Sequence, residues 1–149
     1  MNLFFDTSAL VKFIHEEPGT EVVTDLINNP SNNIFVSDLT RLEFISALCR
    51  RYRNKEIDDQ ELNEAISGFD ENYSYFHVEP LGQMVLQEAE ELLMKYGKTY
   101  GLRTLDALHL ATFLLIKEDH WFFVASDDHL ISAAKAVGVL TLNPLTKTA

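Results

Sequence analysis

Five short apolar runs recur along the chain, and segments of helical period separate most of them. The runs are residues 2–6 (NLFFD), 34–37 (IFVS), 77–81 (HVEPL), 121–125 (WFFVA) and 139–142 (VLTL). Residues 38–53 place Leu39, Leu42, Ile45, Ser46 and Cys49 on one helical face. Residues 58–75 carry Leu62, Ile66 and Phe69, and residues 83–96 carry Val85, Leu86, Ala89, Leu92 and Leu93. Residues 105–117 are apolar almost all round, as in a helix covered on both sides. Residues 128–137 form a last short helix ended by Gly138. Strands alternating with helices specify an α/β protein: a three-layer α/β/α sandwich with a central parallel sheet of four to five strands. Such a sheet delivers the C-terminal end of every strand to one edge, where helices also begin and ligands bind.

A chain of 149 residues without repeats or long linkers fits a single domain, 1–149, large enough to bury a real core. The longest apolar run, Leu110–Ile116, is far short of the ~20 residues that cross a bilayer. No basic lead precedes the N-terminal apolar residues, so they do not read as a signal peptide. The lone Cys49 excludes an intramolecular disulfide and a cysteine-based metal cage. It points to a reducing, cytoplasmic setting with no membrane partner. The net charge of −11 argues against simple electrostatic capture of nucleic acid. It permits a metal protein, because a bound cation makes clustered carboxylates tolerable.

Four acids stand where chemistry would be expected, and each has a plainer explanation. Asp6 ends the first strand and is followed by Thr7 and Ser8; it could simply cap a helix. Glu43 completes a Thr40-x-x-Glu43 capping-box pattern, although Leu42, Phe44 and Ile45 surround it. Asp106 suits the positive end of a helix that Thr104 could cap, although Leu105, Ala107, Leu108 and Leu110 make its setting apolar. Asp127 follows the strand WFFVA and Ser126, again a capping position. In a parallel sheet all four can converge on the same edge, where they would repel and raise at least one pKa. A divalent cation removes that conflict, and oxygen-only ligands suit Mg²⁺ or Mn²⁺. Asp6 and Asp106 are then the expected direct ligands, with Glu43 and Asp127 reaching the metal directly or through water. Thr7 and Ser8 would orient the groups behind them.

Other acid-based sites fit less well. Ser8 and Leu10 stand where two familiar phosphate and adhesion motifs need an acid or a serine, and no glycine-rich phosphate loop is present. The histidines at 15, 77, 109, 120 and 129 lack ligand spacing, and His109 reads as a core histidine.

The stretches DTSALVK (6–12), LTRLEFISAL (39–48), LRTLDALHLATF (102–113) and VASDDHLISAA (124–134) resemble the motifs of PIN-domain ribonucleases. The likeness is greatest to the VapC-type toxins of bacterial and archaeal toxin–antitoxin pairs. The resemblance implies that Asp6, Glu43, Asp106 and Asp127 form an acidic metal-binding and catalytic quartet, with Ser8 as the hydroxyl beside it. It also implies Mg²⁺- or Mn²⁺-dependent endonucleolytic cleavage of RNA, held in check by a cognate antitoxin and inhibiting translation when released. Hydrolysis of that kind would leave a 5′-phosphate and a 3′-hydroxyl. The doublet Asp127-Asp128 leaves two candidates for the fourth acid; Asp127 has the shorter path from the strand end, and Asp128 reads as a solvated first-turn acid.

Lys95, Lys98 and Arg103, with Tyr96 and Tyr100 interleaved, lead into the Asp106 motif and are the candidate RNA contacts. Arg50, Arg51, Arg53 and Lys55 read instead as cations at a helix C-terminus. The apolar faces around Phe44–Leu48 and Leu86–Leu93 suggest a homodimer. The alternative to a nuclease is a non-catalytic PIN-like module for RNA or protein association. The intact quartet favours the enzyme.

Overall fold

The structure is a computed structural model and describes residues 1–146. In chain order it runs β1 (Asn2–Phe5), α1 (Thr7–Ile14), α2 (Thr20–Asn28), β2 (Asn33–Ser37), α3 (Leu39–Arg53) and α4 (Asp59–Tyr73). It continues β3 (His77–Glu79), α5 (Gln83–Tyr100), α6 (Thr104–Ile116), β4 (Phe122–Val124), α7 (Asp128–Val137) and β5 (Leu140–Leu142). The five strands make one sheet in the order β3-β2-β1-β4-β5, and every pairing is parallel.

The chain steps outward from β1 to β2 and β3, then crosses back over β1 to β4 and β5. Right-handed crossovers in opposite directions put their helices on opposite faces. The core divides accordingly. Phe4 of β1 and Phe123 of β4, level in the register, pack with residues of α5, α6 and α7. Leu3, Phe5, Val36 and Val124 point the other way, into a cluster with residues of α1, α2, α3 and α4. The alternation along each strand thus fills both layers of a three-layer sandwich. Helix α6 is buried from Ala107 to Phe113, as its all-round apolar sequence implies.

Three sequence expectations need correction. The sequence pattern shows no helix between the first two strands, yet α1 and α2 lie there. Asp6 starts α1 by accepting the Ala9 N–H, and Gly19, in the left-handed region at φ 94°, starts α2. Helix α5 does not stop at 96 but runs through Gly97 to Tyr100, where Gly101 at φ 67° turns the chain. On α3 the buried stripe is Thr40, Phe44 and Leu48, because Phe44 stacks on Phe69 of α4 at 4.3 Å. Leu42 is instead 65% exposed. Phe44 and Leu48 therefore serve the chain's own core and are not free for pairing with a second copy.

Candidate functional site

The sheet changes direction at β1, so the C-terminal ends of β1 and β4 border the crevice where an open α/β sheet binds ligands. Asp6 emerges from β1 with its N–H still donating to the Val124 carbonyl at 3.0 Å. Asp127 caps α7 after β4, accepting the Leu130 N–H at 2.9 Å. Glu43 reaches the same cleft from α3, and Asp106 from the first turn of α6. All four acids line one cleft, together with Thr7, Ser8 and His109.

Capping accounts for part of this arrangement. Asp6 and Asp127 do cap helices. Glu43 does not: Asp38 precedes α3 without a side-chain cap, and the Thr40 hydroxyl is buried without a partner. Nor does Thr104 cap α6, which begins after Arg103 with no side-chain cap at all. Glu43 is therefore held in the cleft without capping a helix, whereas Asp106, in the first turn of α6, also bonds the backbone of Arg103 at the helix start.

The two hydroxyls after Asp6 have distinct partners. Ser8 Oγ donates to Oδ1 and Oδ2 of Asp6 at 2.8 and 2.9 Å, and accepts the Ser126 N–H at 3.0 Å. It thereby ties the end of β1 to the turn after β4. Thr7 Oγ1 donates to Glu43 Oε1 at 2.9 Å, and Nε2 of His109 meets that same oxygen.

The electrostatics follow from burial and crowding. Asp6 is only 4% exposed. Burial above all pushes its carboxyl up to about 6; the Asp106 charge acts in the same direction, and His109, Ser8 and the Ala9 N–H offset only part. Asp106 is also raised, first by burial and then by Asp127, with Arg103 offsetting. Burial alone would raise Glu43 too, but its bonds to His109 and Thr7 hold it below the ordinary value. Arg103 Nε lies 3.5 Å from Asp106 Oδ2, and Arg103 Nη2 lies 3.6 Å from Asp127 Oδ2.

The oxygen donors of the cleft, four carboxylates with the Thr7 and Ser8 hydroxyls beside them, suit a hard divalent cation. Among the described residues no three His, Cys, Asp or Glu side chains stand close enough together to hold a metal ion as they are placed. Glu43 is turned toward His109, and Arg103 occupies the space between Asp106 and Asp127. The raised Asp6 and Asp106 values mark the unneutralised charge that a cation would relieve.

Asp128 is exposed at the first residue of α7, so of the doublet it is Asp127 that lines the cleft. Lys95 and Lys98 are exposed on α5 and do not line it; Arg103 does. Tyr96 and Tyr100 pack against the core. His109, which reads in the sequence as a core histidine, and Arg50, which reads as a helix-end cation, also line the cleft. His109 follows Asp106 by three residues and Arg50 follows Glu43 by seven, so each shares a helical face with its acid. That spacing was the available signal.

A parallel α/β/α sandwich with acids gathered at its switch point is the PIN-like fold. The chain belongs to the PIN domain family, whose model matches residues 3–136. Within it the chain is related to VapC-type toxins. It is 29% identical to Ribonuclease VapC47 of Mycobacterium tuberculosis over 145 residues, covering 95% of this chain and 96% of that one. Its fold matches Mycobacterium tuberculosis VapC20, described as a sarcin-ricin loop cleaving toxin, with TM-score 0.67 at 16% identity over 93% of this chain and 96% of the other. It also matches a chain of a toxin-antitoxin complex from Klebsiella pneumoniae, with TM-score 0.60 at 18% identity over 95% and 97% of the two chains.

Proposed function

We propose that this chain is a Mg²⁺- or Mn²⁺-dependent endoribonuclease and the toxin of a toxin–antitoxin pair. The observation that carries the reading is the placement of Asp6, Glu43, Asp106 and Asp127 around one cleft, with two of them pushed upward in pKa. A structural module gains nothing from such repulsion. The relatives named as a ribonuclease and as a sarcin-ricin loop cleaving toxin support RNA as substrate. The toxin–antitoxin complex supports a protein inhibitor as partner.

Asp6 and Asp106 would hold the metal, with Glu43 and Asp127 joining directly or through water. A divalent ion held there would supply Lewis-acid activation of the phosphodiester and of water. Ser8 fixes Asp6 through both carboxylate oxygens, so the ligand is set before metal or RNA arrives. Glu43 and Asp127 would orient the attacking water and take its proton as its oxygen bonds to phosphorus and the bond to the 3′ oxygen breaks; a proton from solvent would complete the 3′-hydroxyl, leaving a 5′-phosphate. Arg50 and Arg103 supply the positive charge that a chain of net −11 otherwise lacks at its cleft. Lys95 and Lys98 could touch only RNA that extends beyond it. The exposed Leu42 and Leu105 at the rim offer apolar contact to bases or to an antitoxin segment.

Among the described residues no helix is long and apolar enough to cross a membrane. A cytoplasmic setting and a homodimer complete the proposal. The dimer would use the exposed side of α5, where Met84, Leu86 and Met94 stand in solvent. Purified protein on structured RNAs tests the activity, with Mg²⁺, Mn²⁺ or EDTA and with the cleavage ends mapped. Metal-dependent cuts bearing 5′-phosphates are expected. RNA binding without cleavage under every metal would favour the non-catalytic module, and undiminished cleavage in EDTA would overturn the metal mechanism.

A further inference from the structure

We infer that His109 is a positioning residue that holds Glu43 by one carboxylate oxygen and leaves the other facing the cleft. This rests on the proposed metal site and assigns a role to a side chain that the quartet does not include. The His109 ring is 2% exposed. Its Nε2 meets Glu43 Oε1 and lies 3.3 Å from Thr7 Oγ1, while its Nδ1 is buried with no hydrogen-bond partner. Nε2 stands against the Glu43 carboxylate, so the proton it carries donates to Glu43, while Nδ1 has no partner of its own. Thr7 Oγ1 donates to the same Oε1. That oxygen therefore receives two donors, and Oε2 is the one left for a ligand.

A half-buried glutamate side chain has three soft torsions, and two donors on one oxygen remove much of that freedom. The clamp comes from α6, the helix that also carries Asp106. One rigid element thus sets Asp106 directly and Glu43 through His109. Packing alone does not explain the residue. Its neighbours Leu108 and Leu110 show that the helix buries apolar side chains at this level, and an apolar residue would leave no buried ring nitrogen unpartnered. Ligand-orienting contacts of this kind commonly change metal affinity or activity by 10–100-fold when removed.

The test uses the full chain carrying His109→Leu, His109→Gln or His109→Asn, each with Glu43 intact and with Glu43→Gln. Mn²⁺ binding without RNA is measured by calorimetry, RNA cleavage is measured in Mn²⁺, and melting is followed without metal. His109→Leu should weaken Mn²⁺ binding and lower kcat by about 10–100-fold, with KM for RNA within about twofold. His109→Gln, whose amide can still donate, should recover part of both. In the Glu43→Gln background His109→Leu should cost little more. Wild-type affinity and kcat in His109→Leu would overturn the inference, as would a full additional loss in the Glu43→Gln background. Should His109→Leu fail to fold, the Gln and Asn variants carry the same comparison. If the wild-type chain binds no Mn²⁺, the metal reading fails by itself. The metal-free melting cycle then still decides the clamp, with non-additive shifts supporting it and additive ones overturning it.

Discussion

At Asp6 a helix cap and a charge kept out of water are the same group. The carboxylate accepts the Ala9 N–H at 3.1 Å and both Ser8 bonds, yet burial lifts its pKa to about 6. Asn keeps a capping oxygen and removes the charge. Asp6→Asn is therefore expected to cut RNA cleavage at least ~100-fold, the scale of a lost catalytic group. It should also raise the metal-free melting temperature at neutral pH, since a shift from 3.8 to about 6 corresponds to at most roughly 3 kcal/mol. Paired activity and melting measurements check it; a variant that unfolds would make Asp6 structural. The same shift fixes a pH dependence. Between pH 3.8 and about 6 the native state holds a proton that the unfolded chain has released, so stability falls as pH rises through that window. Asp106 acts with the same sign. Glu43, held below its ordinary value, acts oppositely and loses its contribution only at more acidic pH. Metal-free melting should thus decline across about pH 4 to 6 and level off above it, and saturating Mg²⁺ should flatten the decline. A flat metal-free profile would show that the cleft acids are not under strain.

At the scale of elements, the turn after β4 separates two adjacent acids. Asp127 precedes α7, accepts the Leu130 N–H and faces the cleft, whereas Asp128 begins the helix exposed. Asp127→Asn should lower kcat/KM substantially, and Asp128→Asn should leave it within about twofold while costing about 0.3–1 kcal/mol of helix-end stabilisation. Kinetics of both variants at saturating Mg²⁺ decide this, and a crippled Asp128→Asn would move the fourth acid by one residue. The α5–α6 corner makes a second test. Gly101 sits at φ 67°, and a Cβ there would stand 3.2 Å from His129 Nδ1. Gly101→Ala should cost about 1–2 kcal/mol in denaturant unfolding, and cleavage should weaken as Arg103 and Asp106 shift. These local cases also show what the sequence could convey. Apolar runs bounded by polar residues mark all five strands, strand-end position marks Asp6 and Asp127, and apolar neighbours mark Glu43 and Asp106. Helices α1 and α2 are hidden because they are short, eight and nine residues, and because α1 starts from Asp6, which also reads as a metal ligand. His109 was hidden because its apolar neighbours suit a core residue equally well. Arg50 was hidden because a cation in a last helical turn needs no further explanation.

Over the whole molecule, the net charge of −11 and the four cleft acids make the native state without metal a compromise. Arg103, 76% exposed, is the cation drawn onto two of those acids, at 3.5 and 3.6 Å, distances too long for strong pairing. A divalent cation bound at the cleft stabilises the native state by mass action, about 2.7 kcal/mol at one hundred times its Kd. For a chain of this size that is a rise of roughly 5–10 °C in melting temperature. Salt alone also relieves repulsion, because a Debye length of about 10 Å at 0.1 M screens the scattered surface acids. The two effects separate by site. Mg²⁺ at low millimolar concentration should raise the melting temperature well beyond NaCl of equal ionic strength. The excess should vanish in Asp6→Asn/Asp106→Asn, while the response to NaCl persists. Arg103→Gln should show the opposite change, binding Mg²⁺ more tightly because the internal competitor is gone, yet requiring more RNA for half-maximal rate. If NaCl reproduces the whole Mg²⁺ effect, or the double variant keeps it, the charge relieved is that of the surface at large and the cleft is not its seat.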